Sequence, residues 1–480
     1  MEPLPARRPR GARDDRARHP RALPRGGRQP RRRPVRAPHR EGAEPLTRLP
    51  LNPNEAPVRR LARSVAAGHT VSPVGNRGRR ARADGAEITT REPAERLFTS
   101  SFVMLAVADL GYFTAAGVAI FVLPLHVTGP VGGDEAAAGL AFGVFAVSAL
   151  LLRPFAGRLA DVYGRLPLLL GGALLAAASL VLLALTRDLV SVVVLRLLAG
   201  VAEAAFFVAG FAALADLAPP SRLGEALSYN SLGLYLGIAL GPVLGEALTQ
   251  LGGATLAWWG AGGLAVLSAV LALFIGETRE GPAPEPGDRH LVHRPALPIL
   301  VGFLASLLAM GGFLAFVTLH GTRVGFEVPS LALFTYGAVV VVCRVAFAKV
   351  PDRLPALRLG AAALITIALG LTVVAIWASP AGLVVGAAIT AVGVAFSTPA
   401  FFSAIFATAS PSQRGVASGT ASAAIDLGLG LGPIALGLLA QPFGIPWAFG
   451  AGAAIAGLGA IWTLALSRRT ASRERRPASA

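Results

Sequence analysis

Gly157-Arg158-Leu159-Ala160-Asp161-Val162-Tyr163-Gly164-Arg165 is a charged, glycine-bounded stretch between two apolar runs, near residues 137–157 and 166–186. Each run is long enough for a helix rising about 1.5 Å per residue to cross a hydrocarbon core roughly 30 Å thick. Glycines permit a tight turn, and the charges are confined to the connection. The segment therefore reads as the water-facing turn of a transmembrane helical hairpin.

Working outward, ten further runs recur, near 97–126, 189–216, 222–248, 256–276, 295–320, 329–349, 356–378, 380–408, 412–440 and 445–467. From residue 97 the chain is expected to be an all-α integral membrane protein of twelve transmembrane helices. The expected parts are an N-terminal six-helix half at 97–276, a Pro-, Gly- and charge-rich linker at 277–298, a C-terminal six-helix half at 299–467 whose first span begins near 295, and a basic tail at 468–480. Loops on the N-terminal side carry Arg158, Arg165, Arg222, Arg279, Arg289, Arg294, Lys349, Arg353, Arg358 and Arg414, whereas the other side carries only Arg187 and Arg323. Positive charge stays inside, so both termini are expected in the cytoplasm and the protein in the plasma (inner) membrane.

The 480-residue chain is 54% hydrophobic and 15% charged, against about 25% charge in soluble domains. An ordinary soluble enzyme is thereby excluded, and so is disorder of the whole chain. The net charge of +17 is concentrated in residues 1–96, which hold 24 Arg, 10 acidic residues and 14 of the 36 prolines. No apolar period there offsets the entropy of ordering, so this leader is expected to be disordered. It is read in three ways: as a cytoplasmic arm whose basic runs, such as Arg31-Arg32-Arg33, bind anionic lipid or RNA; as a solvated tail without a partner; or as the product of a start codon placed too far upstream. The third is favoured by 43 Arg against the single Lys349, because GC-rich coding read in a wrong frame also yields Arg, Pro, Gly and Ala. It is not a signal peptide, since no apolar segment follows its charges before residue 97. No nucleic-acid partner is expected of the membrane part. The lone Cys343 sits in an apolar run, so it supports no disulfide framework and is read as inert packing.

One offset of 191 residues aligns the two halves, pairing Arg153 with Arg344, Asp161 with Asp352, Pro220-Ser221 with Pro411-Ser412, Gly224 with Gly415, Gly237 with Gly428, and Gly241-Pro242 with Gly432-Pro433. Each copy holds an even number of spans, so both enter the membrane from the same side as parallel pseudo-repeats. Such repeats hold substrate near the midplane between the halves and work by alternating access.

Three motifs carry a family resemblance. The loop quoted above resembles the G-x-L-A-D-x-x-G-R motif of the major facilitator superfamily, and Arg196-Leu-Leu-Ala-Gly200 in span 4 resembles its R-x-x-x-G motif. Gly233-x-x-x-Gly237-x-x-x-Gly241-Pro242-x-x-Gly245 in span 5 is similar to the signature of the drug/proton antiporter-like efflux group, with Glu246 standing where a second Gly is usual. Small residues at every fourth position make a groove for close helix packing, and Pro242 bends the helix. The resemblance covers residues 97–467. It implies a cavity lined by spans 1, 4, 7 and 10, and a gating latch of Gly157, Asp161, Gly164 and Arg165 with Asp216 at the end of span 4 and Arg414 at the start of span 11. The second-half copy keeps Asp352 but lacks the glycines.

Charges inside apolar spans are costly and mark function. Asp109 in span 1 and Glu203 in span 4 are candidates to load and release a coupling proton, modulated by Arg196. The competing reading is a permanent pair, such as Asp109 with Arg196, that only orients helices. Arg196 and Glu203 share a helix face but lie about 10 Å apart along the axis, so each needs another partner. Asp426 in span 11, matched by Tyr235 in the first half, is a cavity or polar-network candidate. Phe206, Phe207 and Phe211 on span 4, with Phe396, Phe401 and Phe402 on span 10, suit an aromatic cavity wall for a lipophilic solute. His126 and His320 end spans 1 and 7 and are read as interfacial anchors or sensors of external pH. His290-x-x-His293 lacks the carboxylate or thiolate set of a metal site, so no metal is expected.

The sequence contains no phosphate loop, no H-E-x-x-H and no G-x-S-x-G. Neither an enzyme nor a cofactor is expected, and energy must come from a gradient. Together these features point to a monomeric secondary transporter in the bilayer, driven by the proton gradient to export a small, lipophilic compound. The alternatives are proton-coupled uptake of a sugar or organic acid, and a transport-inactive receptor or scaffold whose tail does the binding.

Overall fold

The computed structural model describes residues 97–219, 222–279, 292–410 and 413–474. The leader 1–96, the centre of the linker with His290, Pro220-Ser221, Pro411-Ser412 and the end of the basic tail lie outside the described residues, as does the side chain of Asp352. The helices are α1 (Ser100–Thr128), α2 (Glu135–Gly143), α3 (Phe145–Tyr163), α4 (Arg165–Leu183), α5 (Leu189–Leu217), α6 (Leu223–Leu273), α7 (Leu297–Arg323), α8 (Ser330–Ala346), α9 (Val350–Arg353), α10 (Ala356–Ile376), α11 (Pro380–Phe406), α12 (Arg414–Phe443) and α13 (Ile445–Glu474). Among the described residues there is no strand.

Local chemistry sets the helix ends. Thr99, Asp134, Asp188 and Ser379 accept from the N–H of Phe102, Ala137, Ser191 and Gly382, giving α1, α2, α5 and α11 side-chain N-caps. The Ser191 N–H and hydroxyl hold the Asp188 carboxyl below its ordinary value. α3 and α12 end at glycines with positive φ, Gly164 and Gly444.

Among the described residues ten helices are long and apolar enough to cross a membrane, with α2 and α3 counted as one crossing, Glu135–Tyr163. The expected count of twelve differs in two places. The fifth and sixth runs form one 51-residue element, α6, broken where Gly252 and Gly253 leave helical geometry. Helix α8 has only 17 residues, and Pro351 opens the separate α9 in its first turn, where a proline ring fits. The equivalent α3 runs on to Tyr163. The chain direction defines a linker face, where α1 begins, α6 ends and α7 begins, and a far face opposite.

The small-residue motif explains the tightest packing. Gly237 and Gly241 bring α6 against α1, where a Cβ on Gly241 would lie 2.5 Å from both Gly117 Cα and the Thr114 carbonyl oxygen. Gly233 and Gly245 extend the contact to Leu110 and Val118, and Pro242 lies within the helix. In the second copy Gly428 and Gly432 meet Leu307 and Leu308 of α7, while Pro433 packs against Gly311. The halves meet along two seams, α2 and α3 on α12, and α8 on α6, and the 191-residue offset maps one seam onto the other. Fully buried aromatics such as Phe102, Trp258, Phe303, Phe313 and Phe449 fill the interior, while Leu185, Leu251, Ile376 and Leu458 face outward and suit a lipid boundary.

Candidate functional site

The densest charge inside the helices is on the α3–α12 seam. Arg153 Nη2 donates to Glu203 Oε1 at 3.2 Å and to Asp426 Oδ1 at 2.8 Å, and its Nε lies 2.6 Å from Asp426 Oδ2. The guanidinium also lies 4.5 Å from the centroid of the Phe207 ring. Arg153 and Glu203 belong to the first half, on α3 and α5, and Asp426 to the second, on α12. All three side chains are at least four-fifths buried. On the other seam Arg344 Nη2 donates to the Tyr235 hydroxyl at 3.1 Å, and its guanidinium lies 4.5 Å from that ring's centroid. The offset maps Arg153 to Arg344 and Tyr235 to Asp426, so one contact occurs twice, once on a carboxylate and once on a phenol.

Asp109 lies elsewhere. It is 3% exposed on α1, facing a small gap lined by Phe113, Phe206, Phe207, Gly210, Phe211 and Asn230. No ion pair joins it to Arg196. Arg196 is tied instead to α2, donating from Nε to the Ala141 carbonyl at 3.1 Å, and its guanidinium lies 4.8 Å from the centroid of the Phe145 ring. Arg196 and Glu203 thus have separate partners, as their spacing requires. Of the aromatic candidates, Phe206 is buried and stacks on Tyr112 at 4.0 Å, and Phe401 is buried against Phe303. Both fill the interior of their own halves, whereas Phe207 lies under Arg153 and Phe396 is half-buried near Phe347. His126 and His320 are buried within the protein: His126 shares a hydrogen bond with Thr186 at 2.9 Å, and His320 packs on Phe449.

At the linker face Arg165 joins three elements. Its Nη1 donates to Asp161 at 3.0 Å and to the Ala160 carbonyl at 2.7 Å, and its Nε donates to Asp216 at 3.1 Å. Gly157 faces Val208 of α5. Glu277, which sequence reasoning takes only as the start of the linker, completes the cluster by accepting from the N–H groups of Arg165 at 2.8 Å, Leu166 at 3.2 Å and Arg279 at 3.0 Å. Partial burial works against the ionised Glu277, but these N–H groups and that of Thr278 outweigh it and hold the carboxyl below its usual value. Thr278 donates to Asp216 at 3.1 Å, and Arg279 to the Val162 carbonyl at 2.6 Å. Gly164, at φ 100° and ψ 170°, adopts a conformation open almost only to glycine. A Cβ there would also lie 2.6 Å from the Glu277 carboxyl carbon. Arg414 stands exposed at the start of α12, outside this cluster.

At the far face the halves are joined by Asp134, which accepts from Gln441, and by the Glu135–Arg323 ion pair. Glu246, 7% exposed, accepts from the Ser330 N–H at 3.1 Å. The residue that replaces a glycine of the span 5 signature thus places a carboxylate on the N-terminus of α8, across the seam, where the helix dipole favours it. The offset maps this contact onto Gly437 against Gly139.

Arg153 was legible only as the mate of Arg344. The available signal was its place inside an apolar run, together with a carboxylate at 426 offset from Tyr235.

Residues 105–382 and 352–480 match the family model of the Major Facilitator Superfamily. Over 378 residues the chain is 30% identical to an uncharacterized MFS-type transporter of Salmonella typhimurium, covering 75% of this chain and 94% of that one. Over 389 residues it is 31% identical to an uncharacterized MFS-type transporter of Pseudomonas aeruginosa, covering 77% and 92%. The crystal structure of a bacterial homolog of the human lysosomal transporter Spinster, in an inward-facing and occupied conformation, has a TM-score of 0.65 at 16% identity, covering 79% of this chain and 98% of that one, a likeness of fold. With its apolar helices, its repeated seams and the clustered loop motif, this chain belongs to the Major Facilitator Superfamily and is a multi-pass membrane transporter.

Proposed function

We propose that the protein is a secondary active exporter of a small, lipophilic compound, driven by protons across the inner membrane, with twelve crossings and the linker face in the cytoplasm. Asp109 carries this reading. It is a carboxyl 3% exposed on the first crossing, ringed by Phe113, Phe206, Phe207 and Phe211, with no cationic side chain paired to it among the described residues. An ionised carboxylate there is uncompensated, so a proton or a cationic group must neutralise it during a cycle. The contacts at Asp134, Glu135 and Glu246 join the halves at the far face, which suits a state closed to the outside, one end of an alternating-access cycle.

The test uses inverted vesicles with an imposed proton gradient. Candidate solutes are expected to collapse the gradient in wild type and to fail to do so in Asp109→Asn. Equal collapse in both would remove Asp109 from coupling, and solute movement only in the opposite direction would establish uptake.

A further inference from the structure

We infer that Arg153, Glu203 and Asp426 form a second proton-binding site, a charge switch that couples protonation to separation of the two halves. This rests on the proton-driven reading above but uses residues that it does not.

The charge count comes first. Two carboxylates share one guanidinium, so the ionised cluster holds one net negative charge in a largely buried place. Among the described residues no second cation touches either carboxylate. Arg196, from α5, acts on Glu203 only at a distance, its direct contacts being the Ala141 carbonyl and Phe145. Tyr112, from α1, faces Glu203, Arg196 and Arg153 with a neutral phenol, and Phe207 offers only its ring. Glu203 Oε2 is buried and accepts no hydrogen bond, and Asp426 Oδ2 is met by Arg153 Nε at 2.6 Å. One proton on either carboxyl makes the cluster neutral.

Placement gives the proton a mechanical role. Arg153 and Glu203 ride on the same half, so their contact survives a rigid rotation of one half against the other. Asp426 rides on the opposite half, so the Arg153–Asp426 contact does not. With Asp426 ionised, Arg153 bridges both carboxylates and holds α3 to α12. A proton bound at Asp426 leaves Arg153 to Glu203 alone and frees the seam, and its departure restores the bridge. At the pseudo-symmetric contact Arg344 meets the Tyr235 phenol instead of a carboxylate.

The test needs no solute. In full-length protein carrying Cys343→Ala, spin labels at Arg187→Cys and Glu327→Cys, both exposed at the far face but on different halves, report the distance between halves in liposomes from about pH 5 to pH 9. Wild type is expected to pass from a short to a longer distance as pH falls, with one midpoint. Asp426→Asn is expected to show the long, low-pH distribution throughout. Glu203→Gln, which leaves a neutral Arg153–Asp426 pair, is expected to stay short throughout. Asp426→Glu keeps a titrating carboxyl and retains the transition at a moved midpoint, which guards against a misfolded Asp426→Asn. Tyr235→Phe keeps the wild-type midpoint. A wild type without a pH response overturns the switch, as do Asp426→Asn and Glu203→Gln variants that titrate like wild type. This pattern in a protein that exports nothing in the vesicle assay would keep the switch and reject the exporter. Export with no movement in these distances would do the reverse.

Discussion

Gly164→Ala tests the clamp at the linker face most sharply, because two separable costs meet at one atom. The backbone at φ 100° and ψ 170° costs a residue with a Cβ about 1–3 kcal/mol. The new Cβ would lie 2.6 Å from the Glu277 carboxyl carbon, where carbon atoms ordinarily rest roughly 3.5–4.0 Å apart. The carboxylate must retreat by about 1 Å, which takes it out of reach of the Arg165 N–H, now at 2.8 Å. A hydrogen bond to a charged group contributes about 1.5–3 kcal/mol, but Glu277 is exposed, and solvent screening reduces this to about 1 kcal/mol. The sum is about 2–4 kcal/mol, or some 30- to 1,000-fold in a local opening equilibrium at 1.4 kcal/mol per decade. Hydrogen exchange of the Arg165 and Leu166 amides should accelerate by that factor. In a Glu277→Ala background the clash is absent, so Gly164→Ala should add only the backbone share. Exchange within threefold of wild type would show that Glu277 does not clamp this turn.

Two further outcomes follow from the same geometry. The folded-state pKa of Glu277 lies below its ordinary 4.5, so the clamp should be fully stabilised above that pH and lost as pH falls through the lowered value. Arg165 amide protection, corrected for intrinsic exchange, should fall as pH drops below 4.5 in wild type and stay flat in Glu277→Gln. Gly241→Ala places a methyl 2.5 Å from Thr114 and Gly117, forcing α1 from α6 at an overpacking cost of about 1–3 kcal/mol. Buried Cys343, the single cysteine, should react with a thiol dye at a lower temperature in that variant, and at an unchanged temperature in Gly419→Ala, where the Cβ meets nothing within 4 Å.

The fold was legible because a bilayer imposes length and polarity on each crossing, and because duplication left one offset between copies. Asp161 and Arg165, four residues apart across the Gly164 turn, were readable as a unit, and the family resemblance supplied Asp216. What escaped depends on contacts distant in sequence. Arg153 meets partners 50 and 273 positions away, and no local pattern announces them. Only the offset, applied to Arg153 with Arg344 and Tyr235 with Asp426, predicts that the two pairs are equivalent. Aromatic content said nothing about facing, so Phe401 could not be distinguished from a wall residue before its packing on Phe303 was seen. The break in α6 was legible, since the runs near 222–248 and 256–276 leave Gly252 and Gly253 between them.

The connections at the far face are short: residues 129–134, 184–188, the Gly252–Gly253 break, 324–329, 377–379 and Gly444 alone. Such a face offers an antibody or a protease almost no accessible backbone. The two six-residue connections occupy the same place in each repeat, and they carry or border the contacts between the halves, Asp134 and Glu135 at the end of one and Arg323 before the other. An epitope tag inserted there would disturb those contacts. On the proposed alternating-access reading, a binder raised against that surface would select the conformation in which they are made.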